Sequence, residues 1–210
     1  MKLIKRNFII TTNRLEAFSD GVFAIVITLL AFQFKVPRFS EDASIARNFT
    51  VLTSVFPNIM AFIFSFAFIA VFWINHHQLY HTLKEINNKM LWLNMHVLFW
   101  ITLIPFPILM VGDHPRVPLA SMCLGFVLLM CSLAAYMVRR YSYFKARLVD
   151  ESLSETSIQD GLVQNIIAIC LALAGIITAL FSVYISYWIY VLVLAMFVIP
   201  QKLEKKTHHP

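Results

Sequence analysis

The sequence predicts an all-α, polytopic membrane protein with six transmembrane helices per subunit. Three observations carry that prediction. Of the 210 residues, 60% are hydrophobic and only 13% charged, whereas soluble domains run nearer half and a quarter. The apolar residues gather into runs of the roughly 20 residues that a bilayer core requires. Most Lys and Arg residues fall between those runs.

The first run covers Arg14 to Phe34, after an N-terminal tail over residues 1–13. That tail resembles the basic region of a signal peptide, but its apolar stretch is short and no small-residue cleavage site follows. It reads as a retained tail. A polar loop with Lys35, Arg38, Glu41 and Asp42 comes next, and Ala43 to Thr53 forms a short helix or lead-in. The second span covers Phe56 to Tyr80. The third covers Asn88 to Val111 and contains Pro105 and Pro107, which free backbone groups and bend the helix. The fourth covers Val117 to Arg139. After a polar stretch, the fifth covers Gly161 to Phe181 and the sixth Tyr184 to Pro200. Residues 14–200 thus form one membrane domain, with a charged C-terminal tail over 201–210.

The net charge is +6. In a soluble protein this would raise nucleic-acid binding. Here the positive-inside rule explains it, and no nucleic-acid partner is expected. With the N-terminus inside, the cytoplasmic segments hold Lys2, Lys5, Arg6, Lys84, Lys89, Arg139, Arg140, Lys145, Arg147, Lys202, Lys205 and Lys206. The opposite side holds only Lys35, Arg38, Arg47 and Arg116. Both termini are therefore expected in the cytoplasm, as an even number of spans requires. The run from Arg139 to Arg147 reads as a helix extension among anionic headgroups.

The entrance of the first span is polar: Arg14, Glu16, Ser19 and Asp20 precede an uninterrupted apolar stretch. Charge inside a bilayer is costly and faces a partner or water. Arg14 and Asp20 lie about 240° apart on a helix, so they do not pair, and Glu16 repels Asp20 at four residues. Asp20 therefore needs a donor from another helix. The second span offers Trp73, Asn75, His76 and His77, and the two clusters are expected to meet as an inter-helix lock. Further along, Ile25, Leu29 and Phe32 share one helix face, bordered by Thr28. From spacing alone that stripe reads as packing.

These residues resemble a known family. Arg14, Phe18, Ser19 and Asp20 fit the pattern Arg-x-x-x-Phe-Ser-Asp that opens the first helix of the transmembrane protein 175 family of potassium channels. Gly21 to Ile25, Trp73 to His77 and Leu103 to Pro107 look like its prokaryotic members, and the resemblance spans the whole six-helix chain. It implies a homotetramer in a prokaryotic plasma membrane, with the first helix of each subunit lining the pore. It implies permeant potassium ions, no cofactor and no Thr-Val-Gly-Tyr-Gly filter. The constriction maps to Ile25, with further pore layers at Thr28 or Leu29 and at Phe32. Phe32 is bulkier than the aliphatic residue expected there. The motif's arginine and aspartate would tie the pore helix to its neighbours, with His77 as a partner.

The competing reading is a secondary cation or proton transporter. Its hallmark would be a charged or broken helix at mid-membrane; here Asp20 lies near a helix end, only prolines interrupt the third span, and no internal repeat is visible. An enzyme finds no support in a nucleophile–base set, a Gly-rich phosphate loop or a metal set. His77 and His81 are four apart but lack a thiolate or carboxylate set for zinc. His96 reads as a satisfied buried histidine. Cys123, Cys131 and Cys170 read as small buried hydrophobes.

Overall fold

The computed structural model describes residues 11–33, 37–146, 148–149 and 153–198. The tails lie outside them for the most part, as do the ends of the expected first and sixth spans at Phe34 and Pro200. Within the described residues the chain is helical: α1 (Thr12–Leu29), α2 (Ile45–Thr53), α3 (Phe56–His81), α4 (Asn88–Leu103), α5 (Pro105–Asp113), α6 (Pro118–Arg140), α7 (Glu155–Thr178) and α8 (Val183–Val198). A 3-10 turn over Leu30–Gln33 extends α1, and a π-helical turn over Tyr141–Lys145 extends α6. A β-bridge pairs Leu83 with Val149, where Lys84 N–H donates to Leu148 O at 2.8 Å. It pins the α3–α4 turn to the segment after α6.

Helix starts follow local chemistry. Ser44, Asn87 and Ser154 cap α2, α4 and α7 by accepting from Arg47, Met90 and Ser157 N–H. These caps satisfy N–H groups that have no partner within the helix. Pro118 opens α6, where a missing N–H costs nothing. The third span is broken where expected. Pro105 cannot donate to Ile101 O, which instead accepts from Ile104 N–H at 3.1 Å. The tightened turn at Ile104 separates α4 from α5.

Five stretches are long and apolar enough to cross a membrane: Thr12–Phe32, Ile45–His81, Asn88–Asp113, Pro118–Phe144 and Glu155–Thr178. The shorter apolar helix Val183–Val198 makes the sixth. The protein is a multi-pass membrane protein. α2 and α3 together span 37 residues, about 55 Å at 1.5 Å per residue. That exceeds a hydrocarbon core of about 30 Å. α3 alone is long enough to cross, and α2 has no buried residue.

α6 sits at the centre and touches α4, α5, α7 and α8. Its closest packing surrounds Tyr190 of α8. A Cβ on Gly125 of α6 or Gly175 of α7 would collide with that ring, and the Tyr190 hydroxyl donates to Ser121 O at 3.1 Å. The hydroxyls of Ser121 and Ser186 also bond across α6 and α8. Small residues bring membrane helices close enough for dispersion to hold them where lipid supplies no hydrophobic drive. Cys131 is buried and Cys123 half-buried, whereas Cys170 faces outward. The expectation of burial therefore fails for Cys170, because its position lies on the outer side of α7.

Candidate functional site

α1 lies at an edge of the bundle. It packs on α3 and α4 through Leu15, Ser19, Phe23, Val26 and Leu30, which are all buried. Its other side has no cover. Ile25 is 58% exposed, Leu29 51% and Phe32 85%. Arg14, Ala17, Phe18, Gly21, Ala24 and Thr28 are exposed as well. Two faces of one helix thus serve different ends.

The packed face carries a polar chain. Ser19 Oγ donates to Leu15 O at 2.9 Å, so its proton is committed. Asn94 of α4 must then offer its amide, and Nδ2 donates to Ser19 Oγ at 3.0 Å. That leaves Asn94 Oδ1 facing His76 Nε2 at 2.8 Å. The arrangement selects the tautomer with hydrogen on Nε2, since only a donor fits there. The His76 ring stacks on Tyr80, with centroids 4.0 Å apart, and meets the Phe23 ring edge-on at 5.4 Å. Ser19, Asn94 and His76 are buried. Three helices are therefore joined at one junction whose central polar atoms are paired.

A second link lies nearer the surface. Trp73 Nε1 donates to Asp20 Oδ1 at 2.8 Å. The Trp73 ring stacks on His77 at 5.7 Å, and His77 stacks on His81 at 6.1 Å. Asn75 turns elsewhere, because successive helix residues point about 100° apart. Its Nδ2 donates to Val71 O and to Phe197 O of α8, at 2.8 and 3.0 Å. Among the expected lock residues, the structure brings Ser19, Asp20 and Trp73 to the α1–α3–α4 junction. It places His77 behind Trp73 and sends Asn75 to the α3–α8 contact. Arg14 and Phe18 remain exposed. Asn94 was not foreseen. Its only signal is that it is a polar residue within the apolar third span, beside the more conspicuous His96. His96 itself is half-buried and meets Trp100 edge-on at 6.2 Å.

On the uncovered side, Thr28 Oγ1 donates back to Ile25 O at 2.9 Å. Its proton is thus spent, and its lone pairs are the part left to interact. The bend at Ile104 leaves a groove of about 380 Å³ between α1 and the α4–α5 elbow, lined by Ile25, Leu29, Thr102, Pro105 and Phe106 among others. No cluster of three or more His, Cys, Asp or Glu able to hold a metal occurs among the described residues.

Residues 14–105 match the family described as the endosomal/lysosomal potassium channel TMEM175. A protein of Chryseobacterium sp. named as a potassium channel is 34% identical over 199 residues, covering 94% of this chain and 97% of that one. The chain belongs to the TMEM175 family. A second protein named as a potassium channel, from Chamaesiphon minutus, is 37% identical over 113 residues, 52% of this chain and 55% of its own. Among solved structures, a lysosomal potassium-selective channel TMEM175 homolog from Chamaesiphon minutus superposes with a TM-score of 0.76 at 26% identity. It covers 89% of this chain and 96% of that one. This TMEM175 protein is accordingly an ion channel and not an enzyme. The likeness extends through all six spans, and the family match begins at Arg14, where the polar entrance of α1 starts.

Proposed function

We propose that this TMEM175 protein is a homotetrameric, potassium-preferring cation channel of a prokaryotic plasma membrane, with both termini in the cytoplasm. In this reading the uncovered face of α1 lines the pore. The observation that carries it is the division of α1: one side is locked to α3 and α4, while the other exposes Ile25, Leu29 and Phe32 in register. Four such faces around an axis would cover one another, and the groove beside Ile25 and Leu29 would receive part of a neighbour.

Ile25 forms the constriction. Four branched aliphatic side chains around a narrow axis close a path to ions by excluding water. Arg14 and Phe18 lie before this ring on the exposed side, and Thr28, Leu29 and Phe32 lie beyond it. The Thr28 oxygen supplies a partial substitute for hydration water. Potassium gives up its shell more readily than sodium, and a single ring of hydroxyls gives modest preference. The lock at Ser19, Asp20 and Trp73, with His77 stacked behind Trp73, holds α1, while Asn75 ties the far side of α3 to α8; a small rotation or dilation of α1 would open the ring. Potassium is the permeant ion, and no cofactor takes part.

The deciding experiment uses purified protein in planar bilayers and liposomes under a potassium gradient with no second ion gradient. Unitary current steps with a reversal potential displaced toward that of potassium are expected. Saturable exchange that strictly requires a countergradient, without steps, would establish the secondary transporter instead.

A further inference from the structure

The cytoplasmic-side basic run noted in the sequence does more than end a helix. Arg140 closes α6, Lys89 lies in the first turn of α4, and the two line one cleft of about 600 Å³ with Leu93, Tyr136, Met137, Tyr141 and Phe144. We propose that this cleft between the ends of α4 and α6 binds an anionic phospholipid.

Both cations are held by aromatic groups. Lys89 Nζ lies 5.0 Å from the centroid of the Tyr141 ring, and Asn87 Nδ2 steadies that ring by donating to its hydroxyl at 2.8 Å. Arg140 donates from one guanidinium nitrogen to the Tyr136 hydroxyl at 3.0 Å, and its guanidinium carbon lies 6.0 Å from that ring's centroid. A ring face orients a cation without neutralising it. None of the residues lining the cleft is acidic. One guanidinium contact leaves further donors for an anion, and a lysine offers three.

The rest of the cleft is apolar. Leu93 and Met137 lie about one turn inward from the two cations, toward the middle of the spans Asn88–Asp113 and Pro118–Phe144, and Phe144 is 62% exposed. A ligand matching both parts carries a phosphate at headgroup level and hydrocarbon directed into the bilayer. Soluble phosphate would leave the apolar wall unused. A zwitterionic choline lipid would bring a third cation to the first two. Basic pockets between membrane helices take anionic headgroups for these reasons.

The test uses the full chain in neutral detergent. Dioleoyl phosphatidylglycerol, dioleoyl phosphatidylcholine and glycerol 3-phosphate are titrated separately, with retention read by native mass spectrometry and thermal midpoint. Phosphatidylglycerol is expected to be retained preferentially and to raise the midpoint. The double substitution Lys89→Gln/Arg140→Gln should weaken it by about fivefold per cation removed. Helical content of the variant is checked without lipid, and if the double variant does not fold, Lys89→Gln alone carries the same comparison. Equal retention of the two lipids, or unchanged phosphatidylglycerol binding in the variant, overturns the proposal. Glycerol 3-phosphate binding as tightly as the lipid would show a phosphate site and overturn the lipid assignment.

Discussion

The indole of Trp73 donates to Asp20 Oδ1 across α3 and α1 at 2.8 Å. Directly behind it, Asn94 bridges Ser19 and His76. The entrance of α1 is thus tied at two depths, one partly open to solvent and one buried.

The outer tie makes a separable contribution. Trp73→Phe keeps most of the ring and removes the donor, so it should cost about 1 kcal/mol. Asp20→Ala should cost a similar amount, and the pair should be clearly less than additive in chemical denaturation. If the subunits form the proposed tetramer, Asp20→Ala should also impair its stability or gating more than ion preference, as read by light scattering and reversal potentials. Full additivity would show that Asp20 and Trp73 do not depend on each other.

In the buried tie the cost should depend on which partner is removed. Interhelical hydrogen bonds in membrane proteins average about 0.6 kcal/mol, with a maximum of about 1.7. Ser19→Ala loses its one bond to Asn94 and should fall near the average. Asn94→Leu removes the bonds to both Ser19 and His76, leaves the His76 ring nitrogen without its partner, and should reach or exceed the upper value. Thermal midpoints in detergent should therefore rank wild type, Ser19→Ala, then Asn94→Leu.

The glycines divide by environment. Gly175→Ala would drive a methyl into the Tyr190 ring, and such overpacking costs about 1–3 kcal/mol. Tyr190→Leu should relieve part of that strain, giving a double variant more stable than Gly175→Ala alone. Gly125→Ala should be rescued less, because its added methyl also meets Ile176.

Gly21 has nothing within 4 Å of an added Cβ in the subunit. Gly21→Leu should leave the subunit folded, as judged by helical content. If the open face of α1 is the inter-subunit and pore face, the same change should shift the tetramer toward smaller species in native mass spectrometry. An intact tetramer would assign that face to lipid.

In the proposed pore, Ile25→Asn would replace an apolar ring by amides that water wets. Unitary conductance or background leak is expected to rise severalfold at equal protein load. Currents indistinguishable from wild type would remove Ile25 from the constriction.

Much of the fold is legible in the sequence because spans are long apolar runs and breaks have local causes. Pro105 interrupts the third span by lacking an N–H, and that fact needs no tertiary knowledge. The site is legible only in part. The need of Asp20 for a donor follows from cost and helix spacing, which narrow the choice to a few residues of α3. Choosing Trp73 over Asn75 or His77 needs the rotation of α3 relative to α1. Adjacent His76 and His77 look alike in sequence, yet one is buried against Asn94 and the other lies beside Trp73 near the surface. Asn94 was missed because a lone polar residue in an apolar run says nothing about which neighbour it meets.

By itself, the sequence determined the class of molecule, the number of spans, the bend in the third and the polar entrance of the first. These follow from transfer cost and from covalent limits of the backbone, which act locally. Tertiary structure alone decided which face of α1 is buried and which is open. A stripe at helical spacing reads the same whether it meets a core, a lipid or a pore. Only the positions of α3 and α4 break that symmetry, by covering Ser19, Phe23 and Val26 and leaving Ile25, Leu29 and Phe32 uncovered.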